Sequence, residues 1–125
     1  MSKRSHFHDQ LLTCSLFTEI RHEGLWITQD LRDSILELGE EIPATQVVSR
    51  ALRRFRRDEL LSAHPASGQN GLCYEYELTE QGIHTAVSAT GAEIAKGHYY
   101  ALEVVAALAT SSLYDHLKER VNTDE

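Results

Sequence analysis

The chain has 125 residues, 42% of them hydrophobic and 25% charged, and a formal net charge of −7 at pH 7. These values are typical of one ordinary water-soluble domain, and the chain is too short for two separate cores. No apolar run approaches the ~20 residues of a membrane-spanning helix, and the N-terminal sequence MSKRSHFHDQ lacks the apolar centre of a signal peptide. We therefore expect a cytoplasmic protein with a single domain over residues 1–125.

The first predicted element is a helix from about His6 to His22, and Gly24 is a natural stop after it. Apolar residues recur in this helix at helical spacing: Phe7, Leu11, Cys14, Phe17 and Ile20. The apolar run Leu25–Ile27 predicts a short strand that adds to a later hairpin. A second helix is expected from about Gln29 to Leu38, with Thr28 as its N-cap and acidic residues in its first turn.

A cationic third helix follows. Gly39 ends the second helix, and Pro43 is expected to open the third, because the missing N–H of proline costs nothing at the first helical position. The third helix runs to Arg57, and its apolar residues form one stripe that faces a core: Val48, Ala51, Leu52 and Phe55. The rest of this helix carries five arginines and no acid. Two helices joined by a tight turn, the second of them cationic, predict a helix-turn-helix.

The arginines of the third helix have a plain alternative explanation, because most charged outer helix faces are merely solvated. A solubilising face usually mixes charges of both signs, whereas this one carries a single sign. The helix also leads directly into a hairpin of the right length to be a wing. These two features favour a helix that enters the major groove of DNA over simple solvation.

The hairpin is expected to extend from Leu60 to Leu78. Leu60–His64 is predicted as its first strand, Pro65–Gly71 as a tip rich in turn-forming residues, and Leu72–Leu78 as its second strand. The second strand alternates apolar and polar residues with a period of two, which is typical of a half-buried strand. Thr79 is then expected to cap a further helix.

The C-terminal part is predicted to be helical again from Gly91, with Gly97 as a weak point. The segment Tyr99–Leu117 is apolar on more than one face, and a terminal helix in so small a domain cannot bury both faces in its own core. A symmetric dimer is the simplest cover for the second face, and the alternative is a helix that packs across the domain with irregular exposure. The residues expected at the dimer interface are Leu102, Val105, Ala109 and Leu113.

Charge is distributed unevenly along the chain. Residues 1–57 carry nine Lys and Arg against eight Asp and Glu, whereas residues 58–125 carry three against eleven. A DNA-binding protein with a negative net charge must concentrate its positive field, and the third helix does so. Only three of the twelve basic residues are lysines. An excess of acids with arginine favoured over lysine resembles the composition of halophilic archaeal proteins, and an acidic protein from a high-GC bacterium is the alternative.

The segment from Thr45 to Gly82 resembles the winged helix-turn-helix regulators of the MarR and PadR families. In those families a recognition helix leads to a wing, then to a tyrosine-rich strand and the phrase Y-x-L-T-x-x-G. Residues Tyr76–Gly82 match that phrase at every specified position. One departure follows the recognition helix, where the family's x-x-G-L is Asp58–Leu61 (DELL) in this chain. The turn therefore lacks its glycine and is expected to be built differently.

The resemblance implies a mainly α-helical fold with a small β-wing, in which a DNA-binding core over about residues 25–82 is flanked by dimerisation helices at about 6–22 and 92–120. It implies a homodimeric transcriptional regulator that reads a palindromic site on double-stranded DNA with one recognition helix per half-site. The implied base-reading residues are Thr45, Gln46, Ser49 and Arg50. The implied phosphate-binding residues are Arg53, Arg54, Arg56 and Arg57, and the wing residues implied at the minor groove are Ser67, Gly68, Gln69 and Asn70. Together with the composition, the resemblance extends to haloarchaeal regulators of this type that act in the oxidative-stress response.

Other function classes find little support in the sequence. It contains no Gly-rich phosphate loop and no GxSxG elbow, and its seven histidines and two cysteines lack the spacing of metal ligands. We therefore expect neither an enzyme nor a bound cofactor or metal. Cys14 and Cys73 are expected to be reduced thiols, with a redox-sensing role as the alternative. The alternative to a DNA-binding regulator is a winged-helix module that binds another protein.

Overall fold

The computed structural model describes residues 6–68, 71–113 and 115, with the backbone alone at 6, 67–68 and 71–72. The described residues form five helices and one two-stranded antiparallel sheet. In chain order the elements are α1 (His6–His22), α2 (Thr28–Glu37), α3 (Thr45–Arg57), β1 (Leu61–Gly68), β2 (Gly71–Leu78), α4 (Glu80–Ala95) and α5 (Tyr100–Ala109). This order is that of a mainly helical winged helix with added terminal helices, which confirms the fold predicted from the sequence.

Helix α1 is the centre of the fold, and the other four helices pack against it. Its bounds are those predicted, but the whole circumference of its middle turns is buried rather than one stripe, since every residue from His8 to Thr18 is buried. Polar residues are accommodated there because their hydroxyls find backbone acceptors within the helix. Thr13, Ser15 and Thr18 each donate a hydrogen bond of 2.7 Å to the carbonyl oxygen four residues earlier.

The predicted strand at Leu25–Ile27 is a single β-bridge. Trp26 N donates to Tyr76 O at 3.0 Å, and Tyr76 N donates to Trp26 O at 2.6 Å. The buried indole of Trp26 donates from Nε1 to Glu19 Oε1 at 2.6 Å. Leu78 N donates to the same carboxylate oxygen at 3.1 Å. Glu19 therefore ties the end of α1 to both the bridge and the base of the hairpin.

Two helices begin differently from the sequence prediction. Thr28 is the first residue of α2 and not its N-cap, and Ile27 N instead donates to Asp30 Oδ2 at 2.9 Å. A carboxylate in the first turn thus reaches back to the cap position, where the helix dipole also favours it. Helix α3 begins at Thr45 rather than at Pro43, because the intervening Ala44 (φ −54°, ψ 146°) is outside the helical region and forms the N-cap.

Three helices end in the same way, in a Schellman motif. After α2 and α4 the left-handed residue is a glycine, Gly39 at φ 80° and Gly97 at φ 86°. After α3 the same position is Glu59, at φ 61°. The turn after α3 therefore closes like the turns after α2 and α4, with a glutamate in the conformation that glycine has in the other two. Helix α1 likewise ends at a left-handed Glu23 (φ 50°) and not at Gly24.

The hairpin has longer strands and a shorter tip than predicted. Strand β1 continues through Pro65 and pairs in register with β2, from Leu61 opposite Leu78 to Gly68 opposite Gly71. Proline is tolerated in a strand with an open edge, where its missing N–H need not break the ladder. Of the predicted tip over 65–71, residues 65–68 and 71 therefore belong to paired strands. Residues 69–70 lie outside the described residues.

The start of α4 is locked to the turn that follows α3. Thr79 is its N-cap, as predicted: Oγ1 accepts from Gly82 N at 3.0 Å and donates to Glu59 O at 2.6 Å. A Cβ at Gly82 would lie 1.9 Å from the carbonyl oxygen of Leu60, so only glycine permits this close approach. Helix α4 then runs through Gly91 without interruption, contrary to the predicted restart there.

Helix α5 has one buried face and one open face. Ala101 and Val104 are fully buried, whereas Tyr99, Leu102 and Val105 are 70%, 50% and 42% exposed. This confirms that the two apolar faces are not both buried within the described part of the chain. Among the described residues, no helix is long and apolar enough to cross a membrane.

Candidate nucleic-acid interface

Helix α3 divides into a buried face and an exposed face, as its sequence predicts. Val48, Leu52 and Phe55 are buried, and Ala51 is half-buried. The rings of Phe55 and His8 meet edge to face, with their centres 5.0 Å apart and their planes at 88°. Because His8 belongs to the central helix α1, this contact packs the buried face of α3 against the centre of the fold.

The other face of α3 holds every residue assigned from the sequence to base reading and phosphate binding. Six of these residues are exposed, namely Thr45, Gln46, Arg50, Arg53, Arg56 and Arg57. Ser49 and Arg54 are half-buried at the edge of the face. Since α3 contains no acidic residue, the positive field of its five arginines is not neutralised from within the helix.

Most of the arginines border one open groove of about 540 Å³. Its lining residues are Arg50, Arg53, Arg54, Arg57 and Asp58. Arg54 Nε lies 3.7 Å from Asp58 Oδ2, so one carboxylate accompanies four guanidinium groups. The groove therefore keeps an excess of positive charge, which suits a polyanion such as a phosphate backbone.

The remaining arginine of the helix, Arg56, contacts the wing. Its guanidinium carbon lies 4.9 Å from the centre of the Tyr74 ring on β2. Tyr74 is 37% exposed. The end of α3 and the face of β2 therefore form one continuous surface.

Arg32 on α2 extends this surface, and the sequence reasoning did not identify it. Arg32 Nη1 donates to Thr45 Oγ1 at 3.3 Å. In a helix-turn-helix the first helix crosses the DNA backbone while the second enters the groove. Arg32 therefore adjoins Thr45, one of the residues assigned from the sequence to base reading. Its signal in the sequence is that it is the one basic residue of α2, TQDLRDSILE.

The structure describes two of the four wing residues assigned from the sequence. Ser67 and Gly68 end β1. Gln69 and Asn70 lie outside the described residues. The pairing of Gly68 with Gly71 places the tip at the opposite end of the hairpin from the turn that follows α3.

The two cysteines have different environments. Cys14 is buried on α1, and burial, together with the negative charges of Glu40 and Glu93, raises the pKa of its thiol far above the ordinary range. Such a thiol stays protonated and is a poor nucleophile. Cys73 is exposed, and its Sγ lies 3.5 Å from Ala66 O. In the part of the chain that the structure describes, no group of three or more His, Cys, Asp or Glu could hold a metal ion.

A buried carboxylate joins α4 to α5, and sequence reasoning missed it because its partners lie beyond the helix end. Glu93 is 2% exposed and accepts a hydrogen bond of 2.6 Å from the hydroxyl of Tyr100. Its Oε2 lies 3.0 Å from His98 Nδ1 and 3.6 Å from Lys96 Nζ. Burial and the bond to Glu93 raise the pKa of Tyr100, so the phenol remains a donor. These contacts fix the orientation of α5 and of its open face.

Comparison with known proteins supports the fold. No protein-family model and no curated protein sequence matches the chain. It is similar to the solved structure of a PadR-like transcription factor from Bacteroides fragilis, at 19% identity and a TM-score of 0.50, over 94% of this chain and 92% of that one. It is also similar to a PadR family transcriptional regulator from Eggerthella lenta, at 20% identity and a TM-score of 0.53, over 78% of this chain and 86% of that one. The fold is therefore a PadR-like winged helix.

Proposed function

We propose that this protein is a sequence-specific transcriptional regulator that binds double-stranded DNA through α3 and the wing. The observation that carries the proposal is the outer face of α3, which presents five arginines and no acid beside a two-stranded wing. A protein with a net charge of −7 does not need clustered arginines for solubility. The likeness to PadR-type transcription factors supports the same function.

We assign base reading to the first half of α3 and phosphate binding to the second half. The first group is Thr45, Gln46, Ser49 and Arg50, and the second is Arg53, Arg54, Arg56 and Arg57. Arginine pairs with guanine O6 and N7, and glutamine pairs with adenine N6 and N7. The later arginines need only reach backbone oxygens. Arg32, next to Thr45, joins the second group.

A second copy of the chain is the proposed cover for the open face of α5. A groove of about 230 Å³ runs between α4 and α5, and its walls are mostly apolar: Leu16, Val87, Thr90, Gly91, Ile94, Val104, Val105 and Leu108. Of the four predicted interface residues, Leu102, Val105 and Ala109 are exposed, whereas Leu113 is half-buried against its own core. A symmetric dimer would present two α3 helices to the two halves of a palindromic site.

Fluorescence anisotropy with a random-sequence duplex over a salt series tests DNA binding. A steep loss of affinity with salt would support DNA binding by the arginines of α3, whereas absence of binding at any salt would favour a module that binds protein.

Variants of single arginines test the assigned roles once the preferred DNA site is mapped. Arg50→Ala should weaken the binding free energy for that site by about 1–3 kcal/mol and reduce the preference for one base at one position. Arg57→Ala should weaken all sequences alike and lower the salt slope by about one. Equal weakening of specific and random duplexes by Arg50→Ala would contradict its base-reading role.

Sedimentation at micromolar concentration tests the dimer. Val105 lies on the exposed face of α5, so Val105→Glu should yield folded monomers that bind DNA more weakly. Glu103→Gln, a change at an already charged and exposed position on the same helix, is the control and should leave the dimer intact. A wild-type chain that sediments as a monomer would contradict the dimer.

We also propose, from the resemblance and the composition, a role in the oxidative-stress response of a salt-adapted organism. The buried thiol of Cys14 stays protonated and reacts poorly with an oxidant, whereas Cys73 is exposed. The proposal concerns the genes that are controlled and does not depend on either thiol. Transcript profiles of a deletion strain and its parent after peroxide treatment test it. Identical responses in the two strains would contradict it.

A further inference from the structure

The contact between Arg56 and Tyr74 joins the two elements that would meet DNA. Arg56 lies in the last turn of α3, and Tyr74 lies on β2, on the same strand face as Tyr76. The guanidinium carbon is 4.9 Å from the centre of the ring, which is within the range of a cation–π interaction. Both side chains are exposed to solvent, so neither contributes much to the core.

Tyr74 is itself held in place by an aromatic row along the wing. Its ring centre lies 6.3 Å from that of Tyr76, at an interplanar angle of 38°. Tyr76 in turn packs on Trp26, at 5.5 Å between ring centres, and Trp26 is fully buried. The ring of Tyr74 therefore rests on residues that pack against the core, and it offers Arg56 a fixed surface.

Stacking leaves the DNA-binding groups of the guanidinium available. A guanidinium that stacks on an aromatic ring uses its face, so its five N–H donors, which lie in its plane, remain available at its edge. Arg54 differs, because its Nε lies beside the carboxylate of Asp58 at 3.7 Å, and a carboxylate competes with phosphate for the same donors. An aromatic ring positions an arginine without neutralising its charge.

We propose that Tyr74 is a positioning residue for DNA binding: its ring holds the guanidinium of Arg56 so that the N–H edge faces a backbone phosphate. Tyr74 thus aligns the wing with the end of α3 and reduces the number of arginine conformations that must be given up on binding. This inference rests on the proposed DNA-binding function.

Anisotropy titrations of the full chain with a short random-sequence duplex at low salt provide the test. Tyr74→Leu keeps apolar bulk on the wing but removes the ring, and it should weaken binding about two- to fivefold. Tyr74→Phe keeps the ring and should bind like the wild type. Circular dichroism and thermal unfolding establish that each variant keeps the wild-type fold.

A double-mutant cycle separates positioning from a general effect on the wing. In an Arg56→Ala background, Tyr74→Leu should have no further effect on affinity. In an Arg53→Ala background it should have its full two- to fivefold effect, because the guanidinium over the Tyr74 ring is that of Arg56. Arg53 is the matched control, since it lies one turn earlier on the same helix.

The outcomes distinguish this inference from the function on which it rests. Wild-type protein that fails to bind any duplex would overturn the proposed function, and the inference with it. Wild-type binding together with equal effects of Tyr74→Leu in both arginine backgrounds would overturn the inference alone. So would a Tyr74→Phe variant as weak as Tyr74→Leu, because the ring would then not be the group that matters.

Discussion

Replacing Glu59 with glycine should stabilise the protein. Glu59 has φ 61°, a left-handed conformation that costs an L-residue about 1–2 kcal/mol. Glycine adopts it freely but loses about 0.5–1 kcal/mol more conformational entropy on folding. Because the side chain is exposed, its removal forfeits little packing. The net expectation is a gain of about 0.5–1 kcal/mol in the free energy of unfolding, or about 2–5 °C in Tm.

The backbone around Glu59 already has the geometry of a helix that ends in glycine. Glu59 N donates to Arg56 O at 3.1 Å, and Leu60 N donates to Phe55 O at 2.8 Å. These are the two bonds of a Schellman motif. Glycines hold the same position after α2 and α4, at φ 80° and 86°. Substitution by glycine therefore requires no rearrangement of the turn.

Urea unfolding followed by circular dichroism measures the effect, with all variants at one protein concentration because association would stabilise the folded state. Glu59→Ala is the matched control. It removes the same carboxylate, which is unfavourably placed near a helix C-terminus, but it keeps a Cβ in the left-handed region. The difference between the glycine and alanine variants therefore isolates the backbone effect. If alanine stabilises the protein as much as glycine does, the reasoning from backbone strain is wrong.

Three further predictions concern packing, pH and salt. Gly82→Ala should destabilise the protein by about 1–3 kcal/mol in the same assay, because its Cβ would meet Leu60 O at 1.9 Å, whereas Gly91→Ala has open space and is the control. Burial raises the pKa of Glu19 above its ordinary 4.5, so between the unfolded and the folded pKa the folded state binds more protons than the unfolded state. The free energy of unfolding should therefore fall as the pH rises from the unfolded pKa through the folded pKa. Glu19→Gln should remove this fall, and an unchanged pH profile would contradict the assignment. Site-specific DNA binding should persist in about 1–2 M KCl, where the thermal midpoint should also be higher.

The features that could be predicted from the sequence depend on local spacing. The extent of α1 follows from apolar periodicity, and the buried stripe of α3 follows from positions i, i+3, i+4 and i+7. Thr79 as an N-cap is also a local signal, because its acceptor role involves an N–H only three residues away. The residues proposed for base reading and phosphate binding fall on one face for the same reason, since a buried stripe determines which residues lie opposite it.

The features that were missed depend on contacts between distant segments. Glu59 is left-handed, and its carbonyl oxygen accepts a hydrogen bond from Thr79 Oγ1 at the start of α4. Nothing in the sequence next to Glu59 indicates this contact with a residue twenty positions later. The turn propensity of proline predicts Pro65 in the hairpin tip, whereas pairing with β2 places it in a strand. The contacts of Arg32 with Thr45 and of Arg56 with Tyr74 each join two different elements. The sequence therefore shows that these arginines are present, but it does not predict which residues they contact.

The prediction for high salt follows from the placement of the charges. In molar salt the screening length is about 3 Å, which removes long-range attraction and leaves little gain from counterion release. Binding must then rest on short-range contacts from the first half of α3 and on DNA shape read by the wing. The same screening weakens repulsion among the eleven acidic residues that follow Arg57, so the folded state should become more stable. If binding to the mapped site vanishes by about 0.3 M KCl and the thermal midpoint does not rise, the prediction of adaptation to high salt is wrong. The winged-helix fold would be unaffected by that result, because it depends on the buried core.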